Sequence, residues 1–113
     1  MRVSCTLLLL LWCVSCRQRL DERAARGAAA MERYGCGSCH TVNGVSGANG
    51  MVGPPLTGIA SRTYVAGMLQ NTTQNLATWI HDPKAINPKT AMPNVGASEQ
   101  DAGDMAAFLS TRK

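Results

Sequence analysis

The feature that most constrains this chain is the run Cys36-Gly37-Ser38-Cys39-His40, which places two thiols and an imidazole within five consecutive residues. The chain has 113 residues and only one other histidine, His81. Three kinds of chemistry use such a cluster: a metal ion bound by sulfur and nitrogen, a dithiol that cycles with a disulfide, and covalent attachment of haem. The choice among them depends on the rest of the sequence.

Residues 1–16 are predicted to be an export signal rather than part of the fold. Arg2 supplies a positive start, and the apolar run Thr6–Val14 is much shorter than the ~20 residues that span a bilayer. We therefore expect an exported protein, periplasmic or held on the extracytoplasmic side of a bacterial membrane. The folded domain is predicted to comprise residues 17–113, beginning with a short basic arm.

The end of this leader, Cys13-Val14-Ser15-Cys16, resembles a bacterial lipobox, in which a small residue precedes a cysteine that becomes lipidated. Cys13 stands where that pattern usually has Leu. We expect lipidation of Cys16 and, with it, a membrane anchor. Ordinary cleavage near Ser15 or Cys16 is the alternative.

Without the leader, Cys36 and Cys39 are the only cysteine pair in the folded body, so a disulfide framework is excluded. A zinc site needs four ligands, and beyond His40 the chain offers only His81 or an acidic residue. A thioredoxin-like dithiol requires a preceding strand, and no alternating β-branched run is present. Haem attachment is the favoured interpretation.

The spacing suits haem because two thiols separated by two residues can each add to one vinyl group, while the next residue, His40, reaches the iron. Aromatic residues make up only 4% of the chain, so a bulky apolar group would help to fill the core. The chain also has 11 glycines and 5 prolines, which favours long ordered loops around such a group.

The iron then needs a ligand on its other face, and Met92 is the best candidate. It lies in a loop stiffened by Pro88 and Pro93, far enough beyond His40 to pass around the ring. Met51 follows His40 too closely to cross to the opposite face. The other methionines of the domain, Met31, Met68 and Met105, are interpreted as core residues on helices.

Four ordered blocks carry a family resemblance. They are CGSCH, the segment Gly53–Gly58, the segment Asn75–Pro83 and the segment Thr90–Pro93, and a C-terminal helix follows. This arrangement resembles class I c-type cytochromes, most closely the bacterial mono-haem branch that also occurs as the C-terminal domain of haem-copper oxidase subunit II. The resemblance covers about residues 20–113 and implies the all-α cytochrome c fold, with three to five helices and long loops wrapped around one covalent haem c.

The resemblance also implies roles for individual residues. Cys36 and Cys39 would bear the haem, with His40 and Met92 as the iron ligands. The carbonyl of Pro54 would accept the Nδ1 proton of His40. Three further residues would face the haem propionates: Arg62, Trp79 and Thr90. Lys89 differs from the glycine that often precedes this threonine in the family.

Periodicity places helices at both ends of the chain. An apolar stripe at Leu20, Ala24, Gly27 or Ala28, Met31 and Tyr34 predicts a helix ending at Gly35, and Ser98 with Asp101 predicts the start of a helix that contains Phe108. Gly27 and Phe108 are expected to meet where these helices cross. Between them we predict a loop over residues 41–63, a short helix at Tyr64 to Leu69 and a helix at Thr73 to His81, with no strand.

These features predict a one-electron carrier rather than an enzyme, because two axial ligands leave iron no open position. The expected setting is an extracytoplasmic respiratory chain, with donation to, or relay within, a terminal oxidase. The alternative is a haem sensor or haem catalyst with a labile Met92 ligand. The expected partners are a redox donor and acceptor, in particular a membrane respiratory complex, and not nucleic acid.

The net charge of +4 is concentrated in the N-terminal arm and first helix, whose arginines are predicted to be solvated.

Overall fold

The computed structural model describes the backbone of residues 5–113 and the side chains of residues 12–113. The side chains of residues 1–11 lie outside the described part of the structure. They include Arg2, Cys5 and the predicted apolar run as far as residue 11. Within the described backbone there are four helices, two short 3₁₀ turns and one small hairpin, joined by long loops. The helices are α1 (Cys5–Arg33), α2 (Thr73–His81), α3 (Pro83–Ile86) and α4 (Glu99–Leu109).

Helix α1 ends where the sequence predicts. Gly35 adopts a left-handed φ of 73°, which glycine reaches without the steric cost of a Cβ, and its N–H donates to the Glu32 carbonyl at 3.1 Å. The helix begins earlier than the apolar stripe indicated and runs without a break across the predicted boundary between residues 16 and 17. Leu20 is 62% exposed, so its assignment to the buried stripe was wrong. It lies about two turns before the crossing with α4, beyond the reach of that helix.

Helices α1 and α4 cross at Gly27. A Cβ at this position would lie 2.0 Å from the carbonyl oxygen of Asp104 and 2.9 Å from the Cβ of Phe108. Only glycine permits so close an approach of one helix to the backbone of another. The predicted contact between Gly27 and Phe108 is confirmed, and the closest atoms belong to the backbone of Asp104.

A buried ion cluster reinforces this crossing. Asp104 is 2% exposed and accepts hydrogen bonds from Arg23 Nε at 3.1 Å and Arg26 Nε at 2.9 Å. Burial alone would raise the pKa of Asp104, but the hydrogen bonds from Arg26 and Arg23 outweigh it and hold that pKa below its usual value. The prediction that these arginines are simply solvated was therefore wrong.

A second polar contact joins the same two helices closer to the haem-binding motif. Asp101 accepts a hydrogen bond from the Tyr34 hydroxyl at 2.6 Å and an ion pair from Arg33 at 3.2 Å. The Tyr34 hydrogen bond is the main cause of a lowered pKa at Asp101, supported by Ser98 and Arg33. The end of α1 is thereby fixed immediately before Cys36.

Side-chain caps define the starts of the shorter helices. Thr72 caps α2 by accepting from the Asn75 N–H, Asp82 caps α3 by accepting from the Ala85 N–H, and Ser98 caps α4 by accepting from the Asp101 N–H at 3.0 Å. Pro83 occupies the first turn of α3, where its missing N–H costs nothing. The predicted helix at Thr73 to His81 and the predicted cap at Ser98 are confirmed.

The predicted helix at Tyr64 to Leu69 was wrong. This segment forms an antiparallel hairpin of β1 (Tyr64–Val65) and β2 (Leu69–Gln70), with Val65 opposite Leu69. Ala66 and Gly67 both have positive φ, 55° and 72°, which is the backbone of a tight hairpin turn. Met68 is consequently 53% exposed rather than in the core.

The core lies between α1, α2 and α4 and borders a large cavity. Met31 and Met105 are almost completely buried, which confirms their interpretation as core residues. Leu76 and Ile80 of α2 complete the apolar wall with Leu109.

In the part of the chain that the structure describes, no helix is both long enough and apolar enough to cross a bilayer.

Candidate haem site

The predicted cofactor and iron-binding residues of the folded domain converge on one cavity of about 640 Å³. This volume is within the ~300–1,000 Å³ range of small-molecule and cofactor sites. Much of its wall is apolar and comes from α1, α2, α4 and the hairpin. The predicted residues that line it are Cys36, Cys39, His40, Pro54, Arg62, Trp79, Thr90 and Met92.

The Cys36–His40 segment forms a single tight turn at one wall. A 3₁₀ turn covers Cys36–Ser38, and the His40 N–H donates to the Cys36 carbonyl at 3.0 Å. Gly37 is required here because a Cβ would lie 2.7 Å from the Cα of Ala48. Both thiols and the imidazole are thus presented to the cavity from one turn of the backbone.

The thiol of Cys36 is unsuited to a redox dithiol. Burial raises its pKa above the ordinary value, with a smaller raising contribution from Cys39. Reactive dithiols depend on a lowered pKa that stabilises the thiolate. A raised pKa disfavours the thiolate on which rapid disulfide exchange depends.

The orientation of His40 is fixed by its Nδ1 atom, which lies 2.7 Å from the Pro54 carbonyl oxygen. Because a carbonyl oxygen can only accept, Nδ1 is the donor in this bond, and Nε2 is the nitrogen left to bind a metal. Gly53 packs closely against the ring, where a Cβ would be 2.5 Å from Cε1 of His40. The imidazole is therefore held in one orientation.

Met92 lines the same cavity from the loop between α3 and α4 and is partly buried. Its N–H donates to Thr90 Oγ1 at 3.2 Å, and the Thr90 N–H donates to the Asn87 carbonyl at 3.0 Å. The ammonium group of Lys84 donates to the Thr90 carbonyl. Backbone and side-chain hydrogen bonds therefore hold the loop on both sides of Thr90.

The three residues expected to face the propionates also line this cavity, with different exposures. Arg62 is exposed and donates through Nη2 to the Pro55 carbonyl, next to the residue that binds His40. Trp79 is partly buried on α2. Thr90 accepts from Met92 through its hydroxyl oxygen and keeps its O–H as a donor.

Two residues that the sequence singles out lie away from the cavity. Cys16 is exposed on α1, and the pair Cys13 and Cys16 is followed by Arg17 rather than histidine. His81 binds the Ala97 carbonyl through Nδ1 at 2.8 Å and does not line the cavity. Among the side chains described, His40 is therefore the histidine that lines the cavity.

Sequence reasoning did not identify the polar residues that support the site from behind. Asp104 is the clearest example: it is the buried acceptor for two arginines of α1, next to Met105 and one turn before Phe108. Its place on the buried face of α4, at the three- to four-residue spacing of that helix's apolar positions, was the signal that could have revealed it.

A family model for cytochrome c matches residues 24–113, which is most of the chain. This chain belongs to the cytochrome c family. It is also similar to proteins named cytochrome c oxidase subunit 2 from Alkalihalophilus pseudofirmus, at 34% identity over 94 residues, and from Bacillus subtilis, at 31% identity over 88 residues. The aligned parts cover 82% and 73% of this chain but only 27% and 25% of those proteins. The chain thus spans about a quarter of the length of these relatives, and no solved structure matches it.

Membership of the cytochrome c family confirms the all-α cytochrome c fold and the resemblance to the oxidase-subunit branch. Cytochromes c bind haem c covalently through cysteine, so the predicted haem c cofactor is confirmed. The site fits that group: the cavity is large and bordered by apolar side chains, with two thiols beside an imidazole whose Nε2 is free. Sulfur and imidazole nitrogen are ligands that iron accepts in such proteins.

Proposed function

We propose that this protein carries single electrons in an extracytoplasmic respiratory chain, donating to, or relaying within, a terminal oxidase. Cys36 and Cys39 would hold the haem, and His40 and Met92 would be its iron ligands. The observation that carries the proposal is the position of the Cys36–His40 turn and the Met92 loop on the wall of one cavity, with His40 Nδ1 bound to Pro54 at 2.7 Å. When bound, haem c supplies a reversible one-electron iron couple.

His40 would act as an iron ligand held in one orientation. The Pro54 carbonyl holds its proton on Nδ1, which increases the basicity of the ring and fixes its plane. Gly53 leaves no space for the ring to tilt towards the loop, because its Cα lies directly against the imidazole face. Fixed ligands limit reorganisation on electron transfer, which suits a carrier.

Met92 would be the second iron ligand, presented from a loop that hydrogen bonds hold in place. Thr90 orients its backbone, and Lys84 donates to the Thr90 carbonyl. A thioether ligand together with histidine would raise the reduction potential, as is typical of carriers with this ligand pair. Two such ligands would leave no position for a substrate, which supports a carrier rather than an enzyme.

Arg62, Trp79 and Thr90 offer donors for the two propionates. Their positions on the cavity wall bring a guanidinium, an indole N–H and a hydroxyl to the same site. Partly buried carboxylates without such donors would carry a large desolvation cost. The guanidinium of Arg62 would have to donate to both a propionate and the Pro55 carbonyl. Its five N–H donors make that possible.

The respiratory setting is supported by the relatives, whose names identify them as subunits of cytochrome c oxidase. Export is supported by the composition of residues 1–16, and lipidation of Cys16 would keep the domain at a membrane surface. Mass spectrometry of the N-terminal peptide tests this last step. A diacylglyceryl group on Cys16 is expected, and an unmodified N-terminus near that residue would exclude it.

Visible spectra of the reduced and oxidised protein test the site itself. Wild type should show low-spin haem with thioether bonds, and Met92→Ala should become high-spin. Met68→Ala, at an exposed methionine of the hairpin, is the matched control and should leave the spectrum unchanged. Wild-type protein that binds carbon monoxide rapidly would instead indicate a haem sensor or catalyst with a labile Met92.

A further inference from the structure

The most exposed apolar side chains of the described haem-binding domain form a pair beside the cavity. Met51 is 90% exposed and Val52 is 83% exposed. Val52 also lines the cavity, next to Gly53 and Pro54, which hold His40. We call these two residues the Met51–Val52 tip.

The backbone on either side of this tip is bound to the haem-attachment segment. The Gly50 N–H donates to the Gly37 carbonyl at 3.0 Å, and the Gly53 N–H donates to the Cys39 carbonyl at 2.7 Å. Thr41 Oγ1 adds a bond to the Gly50 carbonyl at 3.1 Å. A Cβ at Gly50 would lie 2.6 Å from the Cys39 nitrogen, so the loop rests directly on that backbone.

The tip is therefore preorganised rather than loose. Exposed apolar side chains on a fixed backbone lose little conformational entropy when a partner covers them. Two adjacent side chains that protrude in this way present contiguous apolar surface at the rim of the cofactor site. Met51 is almost fully exposed and does not line the cavity, so the cavity does not require it to be apolar, whereas Val52 belongs to the cavity wall.

The chain segment that contains the tip carries no charged side chain. Residues 34–61 contain no lysine, arginine, aspartate or glutamate. The nearest cation in the sequence, Arg62, is exposed and donates to the Pro55 carbonyl. Lys84 and Lys89 are exposed cations at the Met92 loop, and Lys84 also donates to the Thr90 carbonyl.

We propose that the Met51–Val52 tip is the docking surface for a redox partner whose own contact face is apolar and uncharged. This rests on the proposed function, because it assigns the tip to the electron-transfer partner of the same haem. The partner covers the tip and approaches the edge of the site at Cys39. Association then depends on apolar burial and is nearly independent of ionic strength, in contrast to docking between charged faces.

The test measures oxidation of the reduced, haem-loaded protein in a stopped-flow instrument. The probe is membranes from the cells that make this protein, prepared from a strain lacking its gene. The double variant Met51→Ser with Val52→Ser removes the apolar tip, and Met68→Ser is the control at another exposed methionine. Lys89→Glu reverses the exposed charge near the Met92 loop. The spectrum and the rate of reduction by ascorbate are recorded for every variant.

In the double variant, the second-order rate constant for oxidation by the membranes should fall about tenfold. A tenfold change corresponds to only about 1.4 kcal/mol, which the loss of this apolar contact can supply. Met68→Ser and Lys89→Glu should each stay within about twofold of wild type, and the wild-type rate should change little between low and high salt. Equal losses in the double variant and Met68→Ser, a steep fall with salt, or a large loss in Lys89→Glu would overturn the proposal. The proposal would also be overturned if wild-type protein with a low-spin haem spectrum were not oxidised by these membranes. Wild type without a low-spin haem spectrum would instead refute the proposed function.

Discussion

Replacing Gly27 with alanine tests the crossing of α1 and α4 most directly. The new Cβ would lie 2.0 Å from the Asp104 carbonyl oxygen and 2.5 Å from its carbon. Favourable contacts between carbon atoms are at roughly 3.5–4.0 Å, so the helices must separate by more than one ångström. The obstructing atoms belong to the backbone and cannot rotate away.

Two opposing contributions determine the size of the effect. Overpacking of this kind costs about 1–3 kcal/mol, and the rigid backbone contact places Gly27→Ala at the upper end. The higher helix propensity of alanine returns about 1 kcal/mol. The expected net loss is therefore about 2 kcal/mol in the free energy of unfolding, equivalent to roughly 8–16 °C in Tm for a domain of this size.

Urea unfolding of the haem-loaded protein, followed by circular dichroism, measures this loss as a lower midpoint with an unchanged m value. Gly103→Ala in α4 is the matched control, because its Cβ would meet only the flexible end of Arg23 at 3.1 Å. That variant should gain up to about 1 kcal/mol. If Gly27→Ala were as stable as wild type, or if both variants lost the same stability, the proposed close crossing would be wrong.

Two further predictions concern charge and backbone strain. The pKa of Asp104 is lowered in the folded protein, so its stabilising contribution is complete above the pKa of the unfolded carboxyl, near ~4, and is lost as the pH falls through the folded value. Asp104→Asn should make the loss of stability in acid less steep. Urea unfolding midpoints measured between roughly pH 6 and pH 2.5 test this expectation. An unchanged slope of stability against pH would contradict the pairing with Arg23 and Arg26. Ala66 has φ 55°, so Ala66→Gly should raise the free energy of unfolding by about 0.5–1 kcal/mol, whereas Gly67→Ala, at φ 72°, should lower it by about 1 kcal/mol. A thermal melt compares the two, and equal effects would argue against the turn.

The parts of the fold that the sequence predicted are those in which local chemistry acts alone. Ser98 caps α4 because its hydroxyl reaches the Asp101 N–H whatever the rest of the chain does. Gly35 ends α1 because it can adopt a positive φ. The positions of His40 and Met92 on one cavity followed from their spacing and from the resemblance to a family, and the structure brings both residues to that cavity.

The failures occurred where the pairing of a residue with another segment decides the structure. Tyr64 and Val65 form a strand because a turn at Ala66 brings Leu69 opposite, and two residues are too few to show a period. Arg23 and Arg26 resembled an ordinary basic surface because their acceptor, Asp104, is distant in sequence. Pairing of this kind leaves no trace in local composition.

The contacts between α1 and α4 join residues as many as 81 positions apart. No growing chain can make them until Asp104 has been synthesised, because loops of this length close only when both ends are present. A variant without helix α4 would keep the Cys36–His40 turn but lose the wall formed by Met105 and Leu109. Helix α4 is therefore as necessary to a closed haem crevice as the cysteines that would tether its occupant.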